Sequence, residues 1–165
     1  MKIRLAFALT CMLALSGCVS VPEPKSPFDA QEAAFIHKQG DNTISGQAFL
    51  RRNDGVVVYA AGSEVSLIPK TAYAKERLDA IYMGGNIQSN PYIQLPPEPA
   101  GYLEAMRKVT ADGEGRFTFR NVANGSYYVV TTVEWLAGYS PQGGALRTAV
   151  DVTGGQTVDV IMTGR

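Results

Sequence analysis

Few side chains in this 165-residue chain could serve as a nucleophile, a base or a metal ligand. It has two cysteines, Cys11 and Cys18, and one histidine, His37. A histidine-rich zinc site needs three or four ligands, and a serine triad needs a base held against its nucleophile. A lone histidine near the end of an N-terminal helix supplies neither. Asp112 and Glu114 lie in the run Asp112-Gly113-Glu114-Gly115 and could offer oxygens to calcium. The ligand spacing of an EF-hand loop is missing, and an Asp opening a Gly-rich turn has a simpler task in holding backbone N–H groups. No catalytic residue, metal or cofactor is therefore expected, and the chain reads as a non-enzyme. It does offer large amphipathic rings. Tyr73, Tyr82, Tyr92 and Tyr102 fall in one stretch, and Trp135 and Tyr139 in another. Rings of this kind join an apolar body to a polar tip, which suits protein interfaces and sugars. These six are the candidate partner-binding residues; the alternative is that they close one end of a core.

Cys18 has a different chemistry. Met1-Lys2-Ile3-Arg4 carries two positive charges, and residues 5–15 are apolar apart from Thr10. A membrane crossing needs about 20 apolar residues, so this shorter run is read as a secretory signal. It ends Leu15-Ser16-Gly17-Cys18, which resembles the lipobox of bacterial lipoproteins. The resemblance implies that residues 1–17 are removed and that the Cys18 thiolate takes diacylglycerol and further acyl chains, palmitate among them. An ordinary signal with a chance cysteine is the alternative. Cys11 leaves with the leader, so residues 19–165 contain no cysteine for a disulfide or a thiolate metal site. Loss of Lys2 and Arg4 leaves 13 basic against 15 acidic side chains. With no basic excess to displace counterions, nucleic acid is not an expected partner. The expected partner is a membrane, held through the N-terminal lipid. Val19, where enteric-type sorting has Asp for inner-membrane retention, implies the outer membrane, facing the periplasm unless a surface-export route exists.

The elements around these residues are read from periodicity. Residues 18–41 form the lipidated cysteine, a Pro-containing extended tether and a short helix. Ser26 is the expected N-cap, Pro27 the first helical residue and Gly40 the C-terminal stop. Phe28, Phe35 and Ile36 would share one face of that helix. From Asn42 the period becomes two. Ile44, Ala48 and Leu50 fall on one face of a first strand. Short strands follow near 56–60, 63–68, 106–111 and 116–120. A long one carries Tyr127, Val129, Thr131, Val133 and Trp135 on a single face, and strands at 145–152 and 156–162 complete the set. About seven strands with turn signals between them point to an all-β, antiparallel sandwich.

Specific residues carry a resemblance here. Val109-Thr110-Ala111-Asp112-Gly113-Glu114-Gly115-Arg116-Phe117-Thr118-Phe119-Arg120-Asn121-Val122, followed by Gly125-Ser126-Tyr127, resembles the motif of carboxypeptidase regulatory-like domains. Ile44-Ser45-Gly46-Gln47-Ala48 and Ala61-Gly62-Ser63-Glu64-Val65-Ser66-Leu67 resemble the opening of the same family. The resemblance implies a transthyretin-like (prealbumin-like) sandwich over residues 42–165, with Phe117, Phe119 and Tyr127 in its core. It implies no activity, because such modules are scaffolds and the zinc peptidase unit they accompany is separate. The related hydroxyisourate hydrolases use histidines and a Tyr-Arg-Gly-Ser-type end, whereas this chain ends Ile161-Met162-Thr163-Gly164-Arg165.

Residues 69–104 depart from that pattern as a 36-residue insertion. Long connections of this kind tend to be functional. A helix is expected over 71–82, stopped by Gly84-Gly85, and then a Pro-rich stretch from Asn90 to Pro99 with polyproline character. A second loop is expected over 135–144. The functional reading is a non-catalytic, lipid-anchored envelope protein acting as a binding or structural module. The alternatives are a component of a secretion or envelope-assembly apparatus and a carbohydrate-binding lipoprotein.

Overall fold

The computed structural model describes residues 20–164; the leader, the lipobox and Cys18 lie outside the described residues. Nine strands are present among them, forming two sheets packed face to face. One sheet is organised by β1 (Gln39–Arg51). It pairs antiparallel with β6 (Arg116–Val122) and with the short β2 (Val57–Tyr59). It also pairs in parallel with β9 (Thr157–Met162), so the sandwich is not wholly antiparallel as expected. The second sheet runs β4 (Ile87–Gln88), β8 (Ser140–Val152), β7 (Gly125–Ala137), β3 (Glu64–Pro69) and β5 (Arg107–Thr110).

The alternation read from the sequence sets what faces inward. Ile44, Ala48 and Leu50 from β1, Phe117 and Phe119 from β6, and Tyr127, Val129, Thr131 and Val133 from β7 are all buried between the sheets. The Tyr127 hydroxyl donates to the Ala123 carbonyl at 2.8 Å, so the most voluminous fully buried side chain leaves no polar atom stranded. Asn42 is 1% exposed and ties two turns together. Its amide nitrogen donates to the Val122 carbonyl and to Asn124 Oδ1, while its oxygen accepts the N–H groups of Gly155 and Gln156. Asp112 holds its turn as expected, accepting the N–H groups of Glu114 and Arg116 at 2.9 and 2.8 Å. Those bonds from Arg116 and Glu114 lower its pKa.

Two expectations are corrected here. The N-terminal helix starts at Asp29, not Ser26, and is only a turn of α1 (Ala30–Ala33) continuing as a 3-10 turn, Ala34–His37. Asp29 Oδ1 accepts the Gln31 N–H, and Gly40 lies inside β1. Ser26 instead donates its N–H and its hydroxyl to Glu76, in another element. Accordingly Phe28 leaves the face shared by Phe35 and Ile36 and packs elsewhere. The expected 135–144 loop is a hairpin tip. Strands β7 and β8 stay paired from Gly125↔Val152 to Ala137↔Ser140, and only Gly138 and Tyr139 turn, with Gly138 at φ +64°.

The insertion forms a third layer. Helix α2 (Ala72–Tyr82) is capped by Thr71, whose hydroxyl accepts the Ala74 N–H, and ends on Met83 in the left-handed region. It lies over the outer face of the second sheet, where Ile68 and Tyr128 pack with Tyr73, Ala74, Leu78, Ile81, Tyr82 and Tyr102 in a separate apolar cluster.

Candidate functional site

The cluster under the insertion answers the question about the tyrosines. Tyr73, Tyr82 and Tyr102 are 5, 4 and 3% exposed, so they line an interior and offer no face to a partner. Tyr73 and Tyr102 meet edge to face at 5.1 Å between centroids, and Phe28 packs on both rings. Burial pushes the Tyr82 and Tyr102 phenols far above their ordinary value, so both stay protonated. Trp135 is half-buried against the inter-sheet core, as its place in the Tyr127–Trp135 alternation requires. Of the six candidate residues only Tyr92 and Tyr139 stand in solvent; Tyr92 is 81% exposed and Tyr139 fully so.

Two buried arginines that the sequence reading did not single out fasten this layer. Arg147, on the outer face of β8, donates from Nε to the Gly85 carbonyl and from Nη1 to Asp79 Oδ1, each at 2.8 Å. Its guanidinium lies 5.0 Å from the Tyr82 ring centroid and 5.8 Å from that of Tyr128. Arg77, on α2, donates to the Pro96 and Pro97 carbonyls and stands 3.6 Å from Glu98 Oε1. Arg147 thus holds the helix to the sheet, and Arg77 holds the Pro-rich strand to the helix.

Between the Pro-rich strand and the outer face of the β7–β8 hairpin is an open cleft of about 240 Å³. The hairpin gives its floor: Thr132, Glu134, Pro141, Gln142, Gly143, Gly144 and Ala145. The wall is Gln88, Ser89, Asn90, Pro91, Ile93 and Leu95, with Ile81 behind. The wall has a traceable cause. Gln88 pairs with Ala145 through β4, and its amide donates to the Ile81 carbonyl at the end of α2. Asn90 then accepts the Tyr92 N–H at 2.9 Å in a side-chain turn. The floor depends on glycines. A Cβ on Gly144 would lie 2.4 Å from the Gln88 carbonyl oxygen, and Gly143 sits at φ +107° with no room for one. A glycine pair inside a strand is the sequence signal for such a close approach, and it could have located this site.

Among the described residues, Glu134 is the only titratable side chain lining the cleft. The remaining polar groups are amides and hydroxyls, and the walls are proline and aliphatic. Such a surface can hydrogen-bond a polyhydroxylated molecule and cover one of its apolar faces. Among the described residues no group of three or more His, Cys, Asp or Glu side chains could hold a metal. His37 is exposed beside Lys38, Arg107 and Arg120, away from the cleft.

No family model and no curated protein matches the chain. Among solved structures, a Pseudomonas aeruginosa protein provisionally named as carbohydrate-binding aligns with a TM-score of 0.71 and 28% identity. The alignment covers 84% of this chain and 98% of that one. Two dioxygenases align at 13% identity: 3-chlorocatechol 1,2-dioxygenase of Rhodococcus opacus and chlorocatechol 1,2-dioxygenase of Pseudomonas putida. Their TM-scores are 0.29 and 0.28, over 99% and 93% of this chain and 71% and 69% of theirs, and they carry no argument about it.

Proposed function

We propose that the protein is a non-catalytic, lipid-anchored envelope protein whose sandwich presents a glycan-binding cleft. The observation that carries this reading is the cleft between the hairpin and the Pro-rich strand, with its single carboxylate among amides and apolar walls. The similarity to a protein provisionally named for carbohydrate binding supports the same reading. Catalysis on a glycosidic bond takes two flanking carboxyl groups in most such enzymes. Glu134 has no second carboxylate in the cleft, so holding a sugar is the chemistry available to it. With one acid and no base lining the site, the ligand is neutral or cationic, not a uronic or sialic acid. The lipobox reading of Cys18 supplies the anchor, and a scaffold of the carboxypeptidase regulatory-like type supplies the frame.

The test is a glycan array probed with the acylated mature protein, followed by calorimetry on each hit. Neutral oligosaccharides should bind, and Glu134→Ala should weaken binding about tenfold or more, the loss of a charged hydrogen bond. Gly144→Ala, which displaces Gln88, should weaken it further. Binding unchanged in both variants would move the site elsewhere. Failure of every glycan, with an envelope protein recovered by crosslinking at Tyr92 or Tyr139, would replace this reading by the assembly one.

A further inference from the structure

The segment expected to be an extended tether is docked from Ser20 on. Val21 is 8% exposed in the apolar cluster under the insertion, and its N–H donates to the Gln94 carbonyl at 3.0 Å. Ser20 and Gln94 form a parallel bridge. Further along, the N–H groups of Lys25 and Ser26 and the Ser26 hydroxyl all donate to the Glu76 carboxylate, at 2.6, 3.0 and 2.8 Å. Phe28 then packs on Tyr73 and Tyr102. From Ser20 to Phe28 the chain belongs to the insertion layer, so it cannot act as a spacer.

This has a consequence for a chain anchored at Cys18, and the inference rests on that reading. One residue, Val19, separates Cys18 from Ser20, and the two chain steps reach about 7 Å at full extension. Acyl chains leaving Cys18 therefore enter the bilayer beside Gln94, and the surface around Gln94 lies at headgroup height. The side chains there suit that place. Tyr92 is 81% and Leu95 52% exposed, on a strand whose path is held by Pro91, Pro96 and Pro97 and by Arg77. Tyrosine at a membrane–water boundary keeps its ring among acyl and glycerol groups and its hydroxyl in water.

We propose that the stretch from Tyr92 to Leu95 is a second membrane contact, seated in the interfacial layer of the phospholipid surface that holds the Cys18 acyl chains. Two contacts fix an orientation that one flexible anchor would not. The insertion faces the bilayer, and β9 on the far sheet faces away. Ile93 and Leu95 also line the cleft, so the cleft opens along the membrane surface. Ligands at that surface reach it first.

The contact is testable because an acylated mature chain has no free thiol. Cysteine variants Tyr92→Cys and Ile161→Cys, both at exposed positions, are purified in lipidated form and labelled with a small fluorophore. They are then reconstituted into phosphatidylethanolamine–phosphatidylglycerol vesicles containing lipid with a headgroup spin label. Ile161 is on β9, in the sheet that does not carry the insertion. Quenching several-fold stronger at 92 than at 161 is expected. Mass spectrometry of the same samples reads the state of Cys18. Acylated Cys18 with equal quenching at the two positions would overturn the membrane contact and leave the anchor standing. Unmodified Cys18 would overturn both.

Discussion

The two cores of this protein are built on opposite plans. Between the sheets, Ile44, Leu67, Phe119, Tyr127, Val129 and Leu146 are almost wholly inaccessible, and alternating strands supply them all. Outside the second sheet, the cluster under the insertion is tyrosine-rich and is crossed by two buried arginines that hydrogen-bond to carbonyls and carboxylates. The first core is non-directional burial, roughly proportional to area. The second is directional: Arg147 and Arg77 fix where the helix and the Pro-rich strand sit, and that in turn shapes the cleft. A scaffold can take its stability from the first plan and its site geometry from the second.

The comparison is broken most severely through the scaffold. Phe119→Ala removes a ring that is 1% exposed and should cost about 3–5 kcal/mol. Against a domain stability of about 5–15 kcal/mol, that lowers the midpoint of urea unfolding sharply and affects every element together. Arg147→Met should act locally. It leaves the Gly85 carbonyl without its donor, while Asp79, whose side chain is 38% exposed, regains water. A loss of about 1–2 kcal/mol follows from breaking hydrogen bonds to a charged donor with partial rehydration. Amide exchange should accelerate over 72–97 and stay slow in β1 and β6. Equal acceleration in β1 and β6 would mean that the two layers unfold as one unit.

The two plans also explain what could be read in advance. Alternation is a local signal, so the inward faces of β1, β6 and β7 were legible from Ile44, Phe117, Phe119 and the Tyr127–Trp135 series. The Asp112 turn was legible for the same reason, since its bonds span four residues at most. The insertion was visible as a departure, and α2 was found within a residue, but whether its tyrosines line a core or a surface was left open. A tyrosine carries the same apolar body and polar tip whether it lines a core or a surface. The decision for Tyr73, Tyr82 and Tyr102 came from Arg77, Phe28 and the outer face of β7, all distant in sequence. Ser26-Pro27 has the local form of a helix start, but Ser26 is docked through its N–H and hydroxyl on Glu76, fifty residues away, and the helix begins only at Asp29. Gly143-Gly144 fell inside the expected 135–144 loop, whereas it marks the place where the β4 strand presses on the hairpin. Glu134 gave no signal of its own; it faces the cleft because Val133 and Trp135 face inward.

The gentlest way to sharpen the comparison is protonation of Glu76. Its carboxylate is held below the ordinary value of 4.5, first by the Ser26 N–H and hydroxyl and then by the Lys25 N–H. A carboxyl whose pKa is lowered on docking favours the docked state above its free value and loses that contribution as pH falls through the lowered one. Docking of residues 20–28 should therefore be complete at neutral pH and weaken below about 4.5, while the inter-sheet core is still folded. Two other carboxylates lie in the same layer, Glu32, which accepts the Ala72 N–H, and Glu98, beside Arg77, so the part played by Glu76 must be isolated. Glu76→Gln does so. It keeps an acceptor but removes the charge, so the protection of the Lys25 and Ser26 amides, relative to their intrinsic exchange rates, should be lower at neutral pH and nearly independent of pH through the acid range. An acid transition of the same size in the Gln variant would show that it does not come from Glu76. Unchanged protection in that variant at neutral pH would show that the N-terminal segment is held by the Phe28–Tyr73–Tyr102 packing, making even this polar layer depend first on burial.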